Sequence, residues 1–264
     1  MKYTLGFIGC GNMGGALLAA ASACVDGKNI AVCDYVPEKA INVANSYGAI
    51  ATDSKDIAAN SRFVILGVKP QNLQETVREF SAELHENAVI VCMAAGISIK
   101  AIRAFIGKNV PVIRIMPNTP VMKNAGMVLY DTADVGKDDE QAFLAAFAAA
   151  GVIDKLPEEK IDAASALSGC GPAFVYAFAE ALADGAVECG VPRDKAALYT
   201  AQTLLGAAKM LLETGDTPGA LKDAVCSPGG TTIAGMHALE KAGLRAAAMD
   251  AVQAAYQRTL ELKK

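Results

Sequence analysis

Two groups of residues in this chain have the types and spacing that chemistry needs. The first, Gly9-Cys10-Gly11-Asn12-Met13-Gly14, is a GxGxxG pattern directly after an apolar run that ends at Ile8. It suits a dinucleotide pyrophosphate: Gly9 permits a sharp turn, Gly11 lets phosphates approach the backbone, and Gly14 lets the next helix pack on the strand. The helix N-terminus adds a favourable field for an anion. The second, Cys226-Ser227-Pro228-Gly229-Gly230-Thr231-Thr232, sets adjacent glycines and hydroxyls before a helical pattern. It could turn several N–H groups toward a small carboxylate, or it could be a plain capping loop.

Further candidates stand where apolar runs end. Asp34-Tyr35 closes the second run, and Asp34 lies twenty positions after Gly14, where a carboxylate accepts hydrogen bonds from adenosine ribose hydroxyls. Taken alone it favours NADH over NADPH, although Lys39 is near enough to reach a phosphate. Val68-Lys69-Pro70 and Ala94-Ala95-Gly96 follow two later runs and could line a nicotinamide pocket; Lys69 reads equally as a solvated loop lysine. Asn118 and Thr119 sit between Pro117 and Pro120 in a loop stiffened on both sides, and are either turn residues or polar contacts near a substrate.

These candidates need a sheet to hold them. From Thr4 to about Tyr130, apolar β-rich runs (TLGFI, IAVC, FVILGV, AVIVCMA, VPVIRIM, GMVLY) alternate with helical spacing such as Pro37 to Tyr47 and Gln71 to Leu84. Strands apolar on both faces belong to a parallel sheet covered by helices on each side, so residues 1–153 are expected to form an α/β, doubly wound, mostly parallel domain. The polar segment from Asp154 to Glu159 breaks the alternation, and residues 154–264 are expected to be all helical. Thr217-Pro218 is a good helix start, with the hydroxyl capping and the proline losing no needed N–H. The Ala- and Leu-rich faces of this second domain exceed what it can bury internally, so it either packs against a copy of itself or forms a loose monomeric bundle.

Composition narrows the function class. A net charge of -4 provides no footprint for nucleic acid. Two distant histidines, His85 and His237, and no Cys-x-x-Cys pair argue against a metal site. Seven cysteines, mostly in apolar surroundings, read as reduced core residues of a cytoplasmic protein. The N-terminus has no basic region followed by an apolar core, and no apolar stretch reads as long enough to cross a membrane.

The strings IGCGNMG, VKPQ, AAGI, MPNTP, SGCGPAF from Ser168, GAAKMLLETG from Gly206 and LKDAVCSPGGTTI from Leu221 to Ile233 resemble one family, pyrroline-5-carboxylate reductase, along essentially the whole chain. The resemblance implies a Rossmann domain followed by an all-helical dimerisation and substrate-binding domain, with interleaved helices and dimers often gathered into larger rings. It implies NADPH or NADH as cofactor, 1-pyrroline-5-carboxylate as substrate and proline as product. It places Ser227, Gly230, Thr231 and Thr232 at the substrate, with Thr232 catalytic beside the ring nitrogen, opposite a nicotinamide held by the neighbouring subunit. Residues 8–14, Asp34, Tyr35, Val68, Lys69, Pro70, Ala94, Ala95, Gly96 and Asn118 are then the cofactor-binding set, and Asn118 also faces substrate. The family usually prefers NADPH, often with Ser, Asn or Arg at the end of the second strand, so Asp34 leaves the preference open.

A protonated imine is already activated toward hydride, so such an enzyme needs positioning more than a strong acid or base. A 3-hydroxyacid dehydrogenase of similar build uses a lysine shortly after a glycine-rich stretch opening the long helix, and Ser168 to Tyr176 contains none. Tyr176 is either a proton donor or core. A non-catalytic dinucleotide sensor would carry a degenerate substrate loop, and the polar run from Ser227 to Thr232 is intact.

Overall fold

The computed structural model describes residues 1–262, which divide into two compact units: residues 1–170 with the last turns from Ala255, and residues 171–254. The first unit begins β1 (Tyr3–Ile8), α1 (Asn12–Ala21), β2 (Ile30–Cys33), α2 (Pro37–Tyr47), β3 (Ile50–Ala51), α3 (Ser54–Asn60) and β4 (Ser61–Leu66). It continues α4 (Pro70–Phe80), β5 (Val89–Cys92), α5 (Ile99–Ile106), β6 (Val112–Pro117), β7 (Gly126–Ala133), α6 (Lys137–Ala146), β8 (Gly151–Lys155) and α7 (Glu158–Ser168).

The strands form one eight-stranded sheet in the order β3-β2-β1-β4-β5-β6-β7-β8. Every pairing is parallel except β6 with β7. The mostly parallel, doubly wound sheet expected from the apolar runs is thus what the chain forms. Leu5 pairs with Phe63 and Ile8 with Leu66, so β1 and β4 lie side by side where the winding reverses direction. The crevice beyond the C-terminal ends of those two strands is where such sheets bind ligands.

Alternation of side chains across the pleat builds a core on each face. One contains Leu5, Phe7, Leu18, Phe63, Phe143 and Phe147, with Phe143 and Phe147 rings 5.1 Å apart. The other contains Val64, Leu66, Leu73, Phe80, Ile90 and Ile102. A buried ion cluster ties α7 to the sheet. Arg114 Nη2 on β6 donates to Asp162 Oδ1 at 2.6 Å and Nη1 lies 3.4 Å from Glu158 Oε1, while Glu158 accepts the Ile99 N–H at 2.7 Å.

The boundary expected at residue 153 falls within β8, and α7, expected with the helical domain, groups with the sheet. The polar run that suggested a linker carries Glu158, whose charge is absorbed by Arg114 rather than by solvent.

The second unit comprises α8 (Gly171–Glu188), α9 (Arg193–Thr214), α10 (Pro218–Ala224), α11 (Thr231–Lys241) and the first turns of α12 (Leu244–Leu262). Thr217 Oγ1 accepts the Ala220 N–H and caps α10, as its sequence indicates. Of the described residues in this unit only Ala183, Ala196 and Thr200 are buried. Leu198, Leu205 and Leu212 recur every seven residues along one stripe of α9, and all are exposed, Leu212 by 78%. Tyr176 is 64% exposed on α8 and is therefore not core within this chain.

Two expectations need correction. Within residues 158–188 an 18-residue window of mean hydropathy 1.3 is long and apolar enough to cross a membrane by length and composition alone. Apolar side chains of α8, Phe174, Val175 and Leu182 among them, stand exposed. The cysteines are not mostly core: Cys10 and Cys92 are buried, whereas Cys24, Cys170 and Cys189 are exposed, and all seven are free thiols.

Candidate active site

The loop between β1 and α1 is held by backbone packed on backbone. Gly9 has φ of +98°, which disfavours any side chain, and a Cβ there would meet the Gly67 carbonyl at 2.8 Å. A Cβ on Gly14 would lie 2.2 Å from Gly9 O, and one on Gly67 would lie 2.4 Å from that same oxygen. The Gly67 N–H donates to Ile8 O at 2.8 Å and closes the contact between the two strand ends. Gly67 carries no signal within its own segment, since its partner is another loop.

Gly11 differs: a Cβ there would meet nothing within 4 Å. It faces a cleft of about 600 Å³ lined by Asn12, Met13, Lys39, Val68, Lys69, Pro70, Ala94 and Ala95, together with Gly67, Met93, Met116 and Pro117. The turns after β1, β4, β5 and β6 therefore meet in one place, and most of the cofactor set expected from sequence comes together there. Gly96, at φ +74°, shapes the turn after Ala95 without lining the cleft. Asn118 stands just beyond Pro117 with its amide spent internally. Its Nδ2 donates to Ser168 O at 2.8 Å, and its Oδ1 accepts the Met127 N–H at 2.9 Å.

Helix α1 starts on Gly11 with no side-chain cap and no acidic residue in its first turn. By contrast Asp53, Ser98 and Thr217 cap α3, α5 and α10. The first N–H groups of α1 consequently lack a side-chain acceptor, and the open space over Gly11 gives an anion room to reach them. A dinucleotide pyrophosphate fits those donors, that charge and that volume.

Asp34 is built into the loop as well as lining a hollow. Its Oδ2 accepts the Cys10 N–H at 2.8 Å, its Oδ1 accepts the Val36 N–H at 3.1 Å, and Lys39 Nζ lies 3.8 Å from Oδ2. Tyr35 next to it projects fully into solvent. Beyond Asp34 a second hollow of about 450 Å³ is lined by Ile8, Pro37, Ile41, Thr52, Asp53, Ser54 and Glu79. The last four are missed by motif reasoning: Thr52, Asp53 and Ser54 because α3 and the two-residue β3 lack a strong pattern, and Glu79 because it reaches the hollow from α4, far along the chain. Burial pushes the Cys10 thiol up to about 11 and the Cys33 thiol up to about 12, so both stay neutral beside the loop.

In the second unit, the loop from Ser227 to Gly230 folds on itself through the Gly230 N–H, which donates to Ser227 O at 3.0 Å. Gly229 has φ of +67°, and a Cβ on Gly230 would strike Ser227 Oγ at 2.3 Å. Helix α11 then starts at Thr231 with neither a side-chain cap nor an acidic residue in its first turn. Thr231 and Thr232 are exposed, and the early N–H groups of α11 are open to a ligand. Among the described residues no group of His, Cys, Asp or Glu comes together in a way that could hold a metal ion.

The same architecture and motifs occur in known proteins. Residues 158–262 match the family described as pyrroline-5-carboxylate reductase dimerisation, and residues 4–96 match NADP oxidoreductase, coenzyme F420-dependent. Pyrroline-5-carboxylate reductase 3 of Danio rerio is 42% identical over 99% of this chain and 92% of its own length. The Escherichia coli K12 pyrroline-5-carboxylate reductase is 38% identical with full coverage of both chains. A solved pyrroline-5-carboxylate reductase from Coxiella burnetii superposes over both full chains with a TM-score of 0.91 at 32% identity. The Plasmodium falciparum pyrroline carboxylate reductase, solved with NADP bound, does so at 0.89 and 27%. An uncapped glycine-started helix in each unit, on a chain 42% and 38% identical to the Danio rerio and Escherichia coli enzymes over at least 92% of each, leads to one statement: this chain belongs to the pyrroline-5-carboxylate reductase family.

Proposed function

We propose that the chain reduces the C=N bond of 1-pyrroline-5-carboxylate to proline, the last step of proline biosynthesis, with NADPH or NADH as hydride donor. The observation that carries this is the pairing of two uncapped helix N-termini, α1 beside a cleft of dinucleotide size and α11 behind the polar loop from Ser227. One suits a pyrophosphate and the other a carboxylate.

A reduced nicotinamide, when bound, supplies the hydride that adds to the C=N carbon, while the protonated ring nitrogen keeps its proton and becomes the amine of proline. The chain's own residues position and shield. The early N–H groups of α1 hold the pyrophosphate; Val68, Lys69, Pro70, Ala94 and Ala95 wall the cleft, with Gly96 shaping its turn. Ser227, Gly230, Thr231 and Thr232 hold the substrate carboxylate, and the Thr232 hydroxyl sits at the ring nitrogen as a hydrogen-bond partner that orients it. No strong acid or base is required, in keeping with the absence of a lysine from Ser168 to Tyr176.

Residues from about 154 onward serve as the dimerisation and substrate-binding domain. A second copy covers the exposed stripe of α9 and the apolar face of α8, so that the Ser227–Thr232 loop of one subunit completes the cofactor site of the other. Seven free thiols support a reducing, cytoplasmic location.

The test is direct: mix the protein with 1-pyrroline-5-carboxylate and reduced cofactor and follow nicotinamide absorbance. No substrate-dependent oxidation of either cofactor ends the proposal. Thr232→Ala is expected to lower kcat/KM about tenfold, the scale of one lost hydrogen bond, with cofactor affinity unchanged. An equal loss of cofactor affinity would show that the loop does not belong to the substrate site.

A further inference from the structure

We infer that the cofactor is the unphosphorylated dinucleotide, NADH, selected by a hollow at the adenosine ribose whose charged side chains are all acidic. This rests on the dinucleotide reading of the glycine loop. The hollow beyond β2 is lined by three carboxylates, Asp34, Asp53 and Glu79, and by no lysine or arginine. A ribose beside the end of β2 is read by the residue there, and a carboxylate accepts hydrogen bonds from its two hydroxyls.

Asp34 cannot swing away to admit another group. Its side chain is only 12% exposed, and its oxygens are fixed by the Cys10 and Val36 N–H groups. Each carboxylate oxygen keeps further acceptor capacity, so the loop contacts and the ribose contacts are compatible.

The cations nearby do not reverse the field. Lys39 lines the pyrophosphate cleft and not this hollow, and its ammonium already lies 3.8 Å from Asp34. Lys55 follows the lining residue Ser54 but pairs with Glu83 at 3.4 Å. Asp53 spends Oδ1 on the Lys55 and Asp56 N–H groups, and Glu79 has no ion pair among the described residues. A 2′-phosphate would enter this space with its own negative charge and meet three carboxylates and the hydroxyls of Thr52 and Ser54, the nearest cation, Lys39, being already paired with Asp34. Discrimination of this kind comes from the repulsive element rather than from a new attraction.

The experiment uses fragments that carry the distinction without the redox chemistry. ADP-ribose and 2′-phospho-ADP-ribose are titrated into the full-length protein by calorimetry at low salt, and NADH and NADPH are compared as substrates in parallel. The expected result is at least about tenfold tighter binding of ADP-ribose, narrowing as salt is raised because exposed charges are screened. Glu79→Gln, which leaves the loop contacts of Asp34 in place, should shrink the ratio about two- to threefold, and Asp34→Ser should shrink it further. Equal or tighter binding of the phosphorylated fragment by the unaltered protein overturns the inference while the reductase reading stands. A ratio unmoved by Glu79→Gln overturns it as well. Binding of neither fragment removes the dinucleotide site, and the functional proposal falls with it.

Discussion

The two units of this chain bury their apolar residues in opposite ways. In the sheet unit, Leu5, Phe7, Val64, Ile65 and Val89 are all inaccessible to solvent, and two cores cover the two faces of the strands. In the helical unit, leucines of equal size stand in the open along α9. The sheet unit owes its stability to contacts within one chain. The helical unit presents the kind of surface that ordinarily becomes the core of an obligate interface, and under the proposed self-association its share of stability should depend on protein concentration.

The largest expected effect tests that difference. Leu205→Glu combined with Leu212→Glu places two charges on the exposed stripe, each replacing a side chain worth about 1.5–3 kcal/mol when buried. The double variant should sediment as a single 27.2 kDa chain, lose measurable reductase activity and still bind ADP-ribose through the sheet unit. An assembly of unchanged size would show that this stripe is not the interface.

Next in size is a break inside the sheet unit. Arg114 is 2% exposed, and its charge answers both Asp162 and Glu158. Arg114→Ala removes the positive charge that answers those carboxylates and should destabilise the protein by about 3–5 kcal/mol in chemical unfolding, independently of protein concentration. A cost below about 1 kcal/mol, the level of an exposed pair, would mean that solvent rather than the cluster satisfies α7.

The smallest effect is a pH signature confined to the sheet unit. Burial, the hydrogen bond to Glu140 and neighbouring carboxylates push the Tyr130 phenol from its ordinary 10 up to about 12. The folded state thus holds this proton more tightly than the unfolded one. The corresponding stability is fully present below pH 10 and is lost as pH rises toward 12. Unfolding followed across that window should fall less steeply for Tyr130→Phe than for the unaltered chain. Equal slopes would assign the alkaline loss to other groups.

Much of this organisation is legible in the residues themselves. Helices α2 and α9 occupy the stretches their spacing marks, Pro37–Tyr47 and Arg193–Thr214, because caps, prolines and apolar period agree there. Helix α5, capped by Ser98 with Ile99, Ile102 and Ile106 on one face, goes unread because it is only eight residues long. Strands β3 and β8 are short or half exposed and carry no alternation to find. The site divides in the same way. Gly9 to Gly14 declare themselves, being consecutive, whereas the Arg114–Asp162 pair spans 48 positions and no local pattern records it. Asn118 is picked out as a polar contact in a rigid loop, but only coordinates show that both ends of its amide are already engaged internally.

The contact among Gly9, Gly14 and Gly67 has a consequence for how such a chain can drift under mutation. Each of the three occupies space that a methyl group on another would need, and two of them crowd the same carbonyl oxygen. No single replacement can open the way for a second, so the usual route of sequence change, a tolerated step followed by an adjustment nearby, is closed. Whatever changes in the chain between them, the alphabet at these three points has one letter.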